Sequence, residues 1–360
     1  MSSTWGDRIR LSIFGESHGG GIGVVLDGLP AGYAVELDPI RVQMARRAPG
    51  TDASATTRKE ADEPQILSGL YRGKTTGAPL AAVIGNTDTR SGDYENIARQ
   101  ARPGHADYTG FVRYKGFNDP RGGGHFSGRL TAPLVFAGAV CRQILGAHGI
   151  SVGGHIASIA GVRDALFDPV AVNKEQLDAL AAVPFSLIDK GVESAMRQEV
   201  ERARLQCDSV GGVVECAAAG LPAGLGNPMF GGVENVLASL LFGIPAVKGV
   251  EFGAGFGAAQ MRGSQNNDPF YQKEDGTVAT KTNHHGGALG GITSGMPLIV
   301  RAAFKPTPSI SQPQQTVDLA TGTPCELRVK GRHDPCIVPR ALPVMEAAVA
   351  VGLLDLMNLS

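Results

Sequence analysis

The chain has 360 residues, 42% of them hydrophobic, so it can bury a core large enough to fold without disulfide or metal support. Its formal net charge of -1 excludes a general electrostatic attraction to nucleic acid or to an acidic membrane surface. The five cysteines contain no C-x-x-C pair, which favours a reduced, cytoplasmic protein without a disulfide framework or zinc site. We also expect no secretion signal and no segment long enough to span a membrane.

Hydrophobic periodicity and turn residues predict an alternation of strands and helices along the chain. Asp38 is expected to be the N-cap of the first helix, with Pro39 at its first position. Strands are predicted near 7–14, 23–29, 65–71, 78–85, 151–162, 211–219, 247–262, 291–304 and 325–331. Helices are predicted near 38–47, 131–148, 194–206, 232–242 and 340–358.

An internal echo bears on the architecture. The segments GVVLDGLPAG (23–32) and GVVECAAAGLPAG (212–224) both run from an apolar strand into Gly-Leu-Pro-Ala-Gly, and a helix is predicted after each. This favours two related halves within one domain spanning 1–360, although five matched residues can also arise by coincidence.

Two common catalytic motifs do not account for the chain. GESHG (15–19) fits the nucleophile elbow of serine hydrolases, but only sixteen residues precede Ser17, too few for the strands that such an elbow follows. GLYRGKT (69–75) lacks the first glycine of a phosphate-binding loop, and no glycine cluster matches G-x-G-x-x-G. A hydrolase or a nucleotide-binding fold is therefore disfavoured.

Histidine and arginine instead recur in loops beside glycine and proline. Histidine transfers protons near neutral pH, arginine binds phosphate and carboxylate, and glycine lets a ligand approach the backbone closely. The pattern predicts a site for a multiply charged anion, with His148 and His155 structural and at most one of His284 and His285 involved. The loops are Ser17–His18, Arg102–Asp107, Arg121–Arg129, Asn283–Gly295, Lys305–Ser309 and Gly331–Cys336.

These segments resemble the chorismate synthase family over nearly the whole chain. The resemblance lies in GESHGGGIGVVLDGLPAG (15–32), RPGHADYTGFVRYKGFNDPRGGGHFSGR (102–129), RGSQNNDPF through KPTPSI (262–310) and KGRHDPCIVPRALPVMEAAVA (330–350). Runs of this length are far more specific than the short motifs above.

The resemblance implies an α+β fold, a β-α-β sandwich with a helical layer between antiparallel sheets, assembled as a homotetramer. It implies a lyase of the shikimate pathway and of aromatic amino acid biosynthesis, which eliminates phosphate from 5-enolpyruvylshikimate 3-phosphate to give chorismate. Reduced FMN would be required without net redox change, and NADPH or an external flavin reductase would keep it reduced. The alternative is a flavin oxidoreductase that acts on a phosphorylated or carboxylated molecule.

Matching position by position implies roles for individual residues. His18 would meet the leaving phosphate, His105 the N1 side of the flavin, and Ser17 with Asp334 would relay a proton at flavin N5. Substrate or flavin phosphate contacts would come from Arg47, Arg102, Arg129 and Arg332, and secondarily from Arg46 and Arg340. Flavin contacts would come from His125, Phe126, Ser127, Pro245, Ala246, Gly290, Lys305, Pro306, Thr307, Pro308, Ser309 and Arg332. Many members read Arg-Ser-Ser-Ala-Arg where this chain has His125-Phe126-Ser127-Gly128-Arg129.

Overall fold

Two five-stranded antiparallel sheets enclose a layer of helices in the computed structural model, which describes residues 3–49, 62–86, 99–329, 334–357 and 359. The first sheet contains, in spatial order, β1 (Thr4–Trp5), β2 (Arg10–Gly15), β3 (Gly21–Asp27), β7 (Leu80–Gly85) and β4 (Gln65–Ser68). The second contains β12 (Val247–Phe252), β17 (Leu298–Phe304), β10 (Gly212–Ala219), β8 (Ser151–Ile159) and β9 (Val162–Arg163).

Shorter strands form small accessory sheets. They are β5 (Leu70–Tyr71) with β6 (Lys74–Thr75), β11 (Ala223–Gly226) with β16 (Ile292–Ser294) and β15 (Ala288–Leu289), β13 (Phe270–Gln272) with β14 (Val278–Thr280), and β18 (Gln314–Val317) with β19 (Pro324–Leu327).

The helices divide into a buried layer and a peripheral set. Between the sheets lie α1 (Leu37–Arg47), α3 (Thr131–Ala147), α6 (Val233–Phe242) and α8 (Val338–Leu356). At the periphery lie α2 (Asp107–Arg113), α4 (Lys174–Ala181), α5 (Glu193–Leu205) and the single turn α7 (Gly263–Asn266).

Close packing of α3 on α8 forms the centre of the fold. A Cβ added to Gly138 of α3 would lie 2.3 Å from the Cα of Ala347 on α8, so only glycine permits this approach. Helix α3 also packs on β3 of the first sheet, and α8 packs on β8 and β10 of the second. The predicted sandwich of helices between antiparallel sheets is confirmed.

The two halves share one topology. In chain order the first half runs β2, β3, α1, β4, β7, α3, and the second runs β8, β10, α6, β12, β17, α8. In each sheet these strands have the same spatial order, first, second, fourth, third. Gly28 and Gly220, the first glycines of the two Gly-Leu-Pro-Ala-Gly segments, have φ values of 83° and 81° and follow the matching strands β3 and β10. The echo in the sequence therefore marks equivalent positions in a repeated fold.

Helix α3 corrects one expectation. The stretch Gly128–Ala147 is long and apolar enough to cross a membrane, contrary to the prediction that no segment reaches that length. Of its apolar 18-residue window, 78% is buried inside the protein, because α3 is covered by α8 and by strands of both sheets. Its composition is that of a central core helix.

Most predicted elements are confirmed, with errors where short-range signals mislead. Helix α1 begins at Leu37 after Glu36, so the prediction of Asp38 as N-cap is wrong. The strand predicted over 247–262 ends at Phe252, because Gly253 turns the chain with φ of 54°. The strand predicted over 291–304 is two strands, separated at Gly295 where φ is 85°.

Candidate active site

The candidate site lies where equivalent ends of the two halves meet. Gly21 at the start of β3 pairs with Gly85 at the end of β7, so the β2–β3 hairpin lies beside the segment leading to α3. Gly212 at the start of β10 pairs with Phe304 at the end of β17, beside the segment leading to α8. The histidine and arginine loops follow these strand ends.

Ser17 and His18 are buried in the β2–β3 hairpin. Ser17 Oγ donates to the carbonyls of Arg121 (3.2 Å) and Gly122 (3.1 Å), and the Ser17 backbone N–H donates to the carbonyl of Gly124 (3.2 Å). The hairpin is therefore held against the glycine-rich segment that precedes α3.

Asn86 binds the same hairpin from the other side. Its side-chain nitrogen donates to the carbonyls of Glu16 (2.9 Å) and Gly19 (3.0 Å), while its oxygen accepts from Arg129 Nε (3.2 Å). Asn86 thus connects the hairpin to the arginine cluster described below, a role that the sequence analysis missed.

Three consecutive glycines separate the two candidate catalytic histidines. Gly122, Gly123 and Gly124 have φ values of 59°, 84° and 54°, all in the region that favours glycine. A Cβ on Gly122 would lie 2.5 Å from His18 Cδ2 and 2.6 Å from Ser17 Oγ, and a Cβ on Gly123 would lie 3.2 Å from His105 Nε2. The backbone passes between His18 and His105 with no room for side chains.

His105 belongs to an ion-paired group with Arg102 and Asp107. Asp107 accepts from Arg102 Nε at 2.7 Å and lies 2.6 Å from His105 Nδ1. Burial alone would raise the pKa of Asp107, but hydrogen bonds from Arg102 and His105 outweigh it and hold that pKa well below its usual range. Arg102 also donates to Ser309 Oγ (3.0 Å), which joins this group to the second half.

The segment 305–309 contributes a cation and hydroxyl groups next to the same group. Lys305 Nζ donates to the carbonyl of Gly104, and the Lys305 backbone N–H donates to the carbonyl of Ala246 (3.0 Å). Burial, with a smaller contribution from Lys248, lowers the pKa of Lys305. Ala246 has φ of 75°, a strained conformation of the kind that clusters at functional sites.

A buried carboxylate holds Arg47 and Arg129 together. Asp62 accepts from Arg47 Nη1 at 2.6 Å through one oxygen and from Arg129 Nη1 through the other. Burial, and the nearby charges of Arg340 and Arg129, lower the pKa of Arg47 to about 10 against the opposing effect of Asp62. Asp62 was not predicted from the sequence, since nothing in the run KEADE distinguishes it from the acidic residues beside it.

Arg340 and Asp334 complete this cluster, whereas Arg46 does not reach it. Arg340 forms an ion pair with Asp334 and donates from Nε to the carbonyl of Arg47 (3.0 Å). Arg46 projects from a different face of α1, where it binds the buried Glu346 of α8. The structure therefore gives Arg46 a structural partner in the core.

The remaining candidates have mostly local contacts. His125 bridges Ser3 Oγ (2.7 Å) and the carbonyl of Gly15 (2.8 Å), and Ser127 caps the turn before α3. Phe126 packs edge-on against Tyr114. Pro245 is exposed beside Ala246, and the carbonyl of Thr307 accepts from Ser209. Pro306 and Pro308 lie in the 305–309 segment, and Arg332 lies outside the described residues.

Gly290 lies at the other end of α6 from the site. Its neighbour Gly291 accepts a hydrogen bond from the N–H of Val233, the first residue of α6, whereas Ala246 follows the last turn of that helix. Ten helical residues span about 15 Å. The structure does not bring Gly290 together with Ala246 and Lys305.

The histidines outside the site have structural partners. His155 lies between Asp164 and Glu215, at 2.9 Å from each, and His148 hydrogen-bonds Tyr33. His284 and His285 both lie against Asp268, beyond the far end of β12.

Together, the loops bring arginine, lysine and histidine side chains beside a glycine-rich backbone, an arrangement of the kind found in enzymes that act on small polyanions. A family model for chorismate synthase matches residues 9–358. The chain belongs to the chorismate synthase family and is a carbon–oxygen lyase of the shikimate pathway.

Relatives and a solved structure cover nearly the whole chain. It is 51% identical over 350 residues to the chorismate synthase of Thermococcus kodakarensis, covering 97% of this chain and 96% of the relative. It is 47% identical over 356 residues to that of Dehalococcoides mccartyi, covering 99% and 96%. A crystal structure of chorismate synthase matches with a TM-score of 0.76 and 28% identity, covering 98% of this chain and 92% of that one.

Proposed function

We propose that this enzyme eliminates phosphate from 5-enolpyruvylshikimate 3-phosphate to give chorismate and requires reduced FMN without net redox change. The observation that carries the proposal is the passage of the backbone of Gly122–Gly124 between His18 and His105, together with the ion-paired groups of Arg47 and Arg102. Two proton carriers are thereby held against one glycine-rich backbone segment, near cations of the kind that bind anionic ligands.

The residues present fit a flavin phosphate and ring. Lys305, Ser309 and Arg102 supply cationic and hydroxyl donors of the kind that bind phosphate, and they lie beside His105. When bound, reduced FMN would supply electron density and a basic ring nitrogen to the elimination. Ala246, His125, Phe126 and Ser127 would border it through backbone or side chain.

The substrate carries a phosphate and two carboxylates, which fits the second cluster. Arg47, Arg129 and Arg340 would bind these anions, since guanidinium groups pair with carboxylate and phosphate in a fixed geometry. His18 would stabilise the leaving phosphate. His105 would hold a proton at the N1 side of the flavin, and Ser17 Oγ, with Asp334, would move a proton at the N5 side.

Phosphate release under anaerobic conditions tests the reaction. We expect chorismate and one phosphate per substrate only when reduced FMN is added, with no net oxidation of the flavin. Turnover with oxidised FMN alone would contradict the proposal, and stoichiometric flavin oxidation would favour the oxidoreductase alternative. Repeating the assay with FMN plus NADPH shows whether the protein reduces its own flavin or needs an external reductase.

Single histidine variants test the site. His18→Ala and His105→Ala should each lower turnover by roughly ten- to a thousandfold, because each removes a proton donor or a positive charge. His148→Ala is the matched control, since His148 is exposed and contacts Tyr33 away from the site. Wild-type turnover in both site variants would overturn the assignment.

We further propose a cytoplasmic homotetramer, without membrane or nucleic-acid partners, in agreement with the near-zero net charge. Sedimentation velocity at micromolar concentration tests the assembly.

A further inference from the structure

Asp62 is a buried carboxylate within the arginine cluster. Its side chain is 0% exposed, whereas the side chains of Arg47 and Arg129 are 4% and 6% exposed. All three side chains are therefore almost completely removed from water.

Asp62 supplies the negative charge that these two guanidinium groups share. The other acceptors of Arg47 are neutral, namely Thr131 Oγ1 (3.2 Å) and the carbonyl of Gly128 (3.1 Å). Arg129 also donates to the oxygens of Asn86 (3.2 Å) and Gly85 (3.3 Å). Without the carboxylate, the cluster would have to hold neighbouring guanidinium groups close together against their repulsion.

The charge state of Asp62 agrees with this role. Burial alone would raise its pKa, but the charges of Arg47 and Arg129 outweigh burial and lower that pKa, so the carboxylate is ionised at neutral pH. Its backbone has φ of 47°, a conformation that aspartate tolerates better than most residues. Both ion pairs hold the residue in that conformation.

We propose that Asp62 is a positioning residue for substrate binding. Its two oxygens hold Arg47 and Arg129 next to each other, so that both guanidinium groups can bind one anionic group of the substrate. The inference rests on the proposed function insofar as these arginines bind 5-enolpyruvylshikimate 3-phosphate. Asp62 itself does not contact the reacting atoms.

The test compares Asp62→Asn with Glu63→Gln in the full-length enzyme. Asparagine preserves the shape of Asp62 and removes its charge, whereas Glu63 is the adjacent carboxylate, paired with Arg41 at the surface at 2.9 Å. We expect Asp62→Asn to raise the KM for substrate roughly ten- to a hundredfold with kcat changed by less than about threefold, while Glu63→Gln changes neither. A fall in kcat with unchanged KM would show a merely structural role and overturn the inference.

Binding of inorganic phosphate separates this inference from the proposed reaction. By calorimetry we expect Asp62→Asn to weaken phosphate binding about tenfold, and Asp62→Glu, which keeps the charge, to restore part of it. Equal affinities in wild type and Asp62→Asn would overturn the inference even if the enzyme makes chorismate. Weakened binding would support it even if the reaction assay fails.

A double-mutant cycle tests whether Asp62 acts through Arg47. If it does, Arg47→Lys combined with Asp62→Asn should raise KM by less than the product of the two single effects, because both disturb the same contact. Independent, multiplicative effects would contradict the proposed route.

Discussion

The two halves of the molecule have the same four strands and two helices, yet they use the connection between their first two strands differently. In the first half this connection is the short hairpin that holds Ser17 and His18. In the second half it runs from 160 to 211 and includes α4 and α5, and Leu177 of α4 packs on Gly153 of β8. The first-half connection therefore holds candidate catalytic residues, whereas the second-half connection covers a sheet.

Other connections stayed equivalent and meet at the site. Asn86 follows β7 and Lys305 follows β17, while Arg47 ends α1 and Ala246 follows α6. Both halves thus present the end of a matching helix and of a matching strand to the same place. The repeat explains how residues more than 200 positions apart form one site.

Removing the charge of Glu346, which joins the two halves, should have the largest effect on stability. Glu346 of α8 binds Arg46 and Arg142 of the first half and accepts from the N–H of Gly154 in the second. We expect Glu346→Gln to lower the free energy of unfolding by about 3 kcal/mol, because two largely buried cations lose their counterion. Chemical denaturation measures this, with Glu193→Gln in the exposed pair with Arg197 as control. A loss no larger than in the control would show that the halves do not depend on Glu346.

A substitution in the glycine triplet tests the part of the site that lies in the first half. Gly122→Ala should lower kcat/KM by roughly a hundredfold or more, because the new Cβ would overlap Ser17 and His18 and displace both. Gly128→Ala, six residues later, is the control, since a Cβ there meets nothing within 4 Å. Equal activity of the two variants would refute the close approach.

The covered sheet of the second half should show a distinctive pH dependence. Burial lowers the pKa of His155, but hydrogen bonds to Asp164 and Glu215 outweigh burial and raise it. Its contribution to stability is therefore complete below about pH 6.5, the value expected in the unfolded chain, and is lost as pH rises through the folded pKa. His155→Gln should cost about 2 kcal/mol at pH 6 and remove this dependence. Denaturation curves at several pH values measure this. The same pH dependence of stability in the wild type and in His155→Gln would contradict the prediction.

The smallest effect is expected at Ala246, which follows α6 in the second half as Arg47 ends α1 in the first. Ala246 has φ of 75°, so Ala246→Gly should raise the free energy of unfolding by up to about 1 kcal/mol. Ala223→Gly, in β11 and outside the left-handed region, should lower it by about 0.5 to 1 kcal/mol. Thermal unfolding of both variants measures the difference, and destabilisation by both would show that Ala246 is unstrained.

Local signals predicted the fold well because they act over a few residues. The Gly-Leu-Pro-Ala-Gly echo located two left-handed glycines at matching strand ends, and apolar periodicity located α3 and α8. Helix α2 was missed because it has seven residues with Gly110 among them. Short helices carry too little periodicity to stand out from loops.

The site was predicted less completely because its contacts join distant residues. Arg46 and Arg47 are adjacent in sequence, but successive residues project about 100° apart on a helix, so one enters the core and the other the arginine cluster. Choosing between them requires knowing which face α8 covers. Asp62 and Asp107 carry no pattern of their own, and only the fold brings Asp62 to Arg129.

The burial of α8 has a consequence for biosynthesis. Every residue from Val338 to Leu356 except Arg340 is buried, although this helix leaves the ribosome after all strands of both sheets. Until then, the apolar faces of α3, β8 and β10 lack their main cover. The nascent chain therefore exposes a large apolar surface until α8 emerges, and we expect chaperones to bind it during that time.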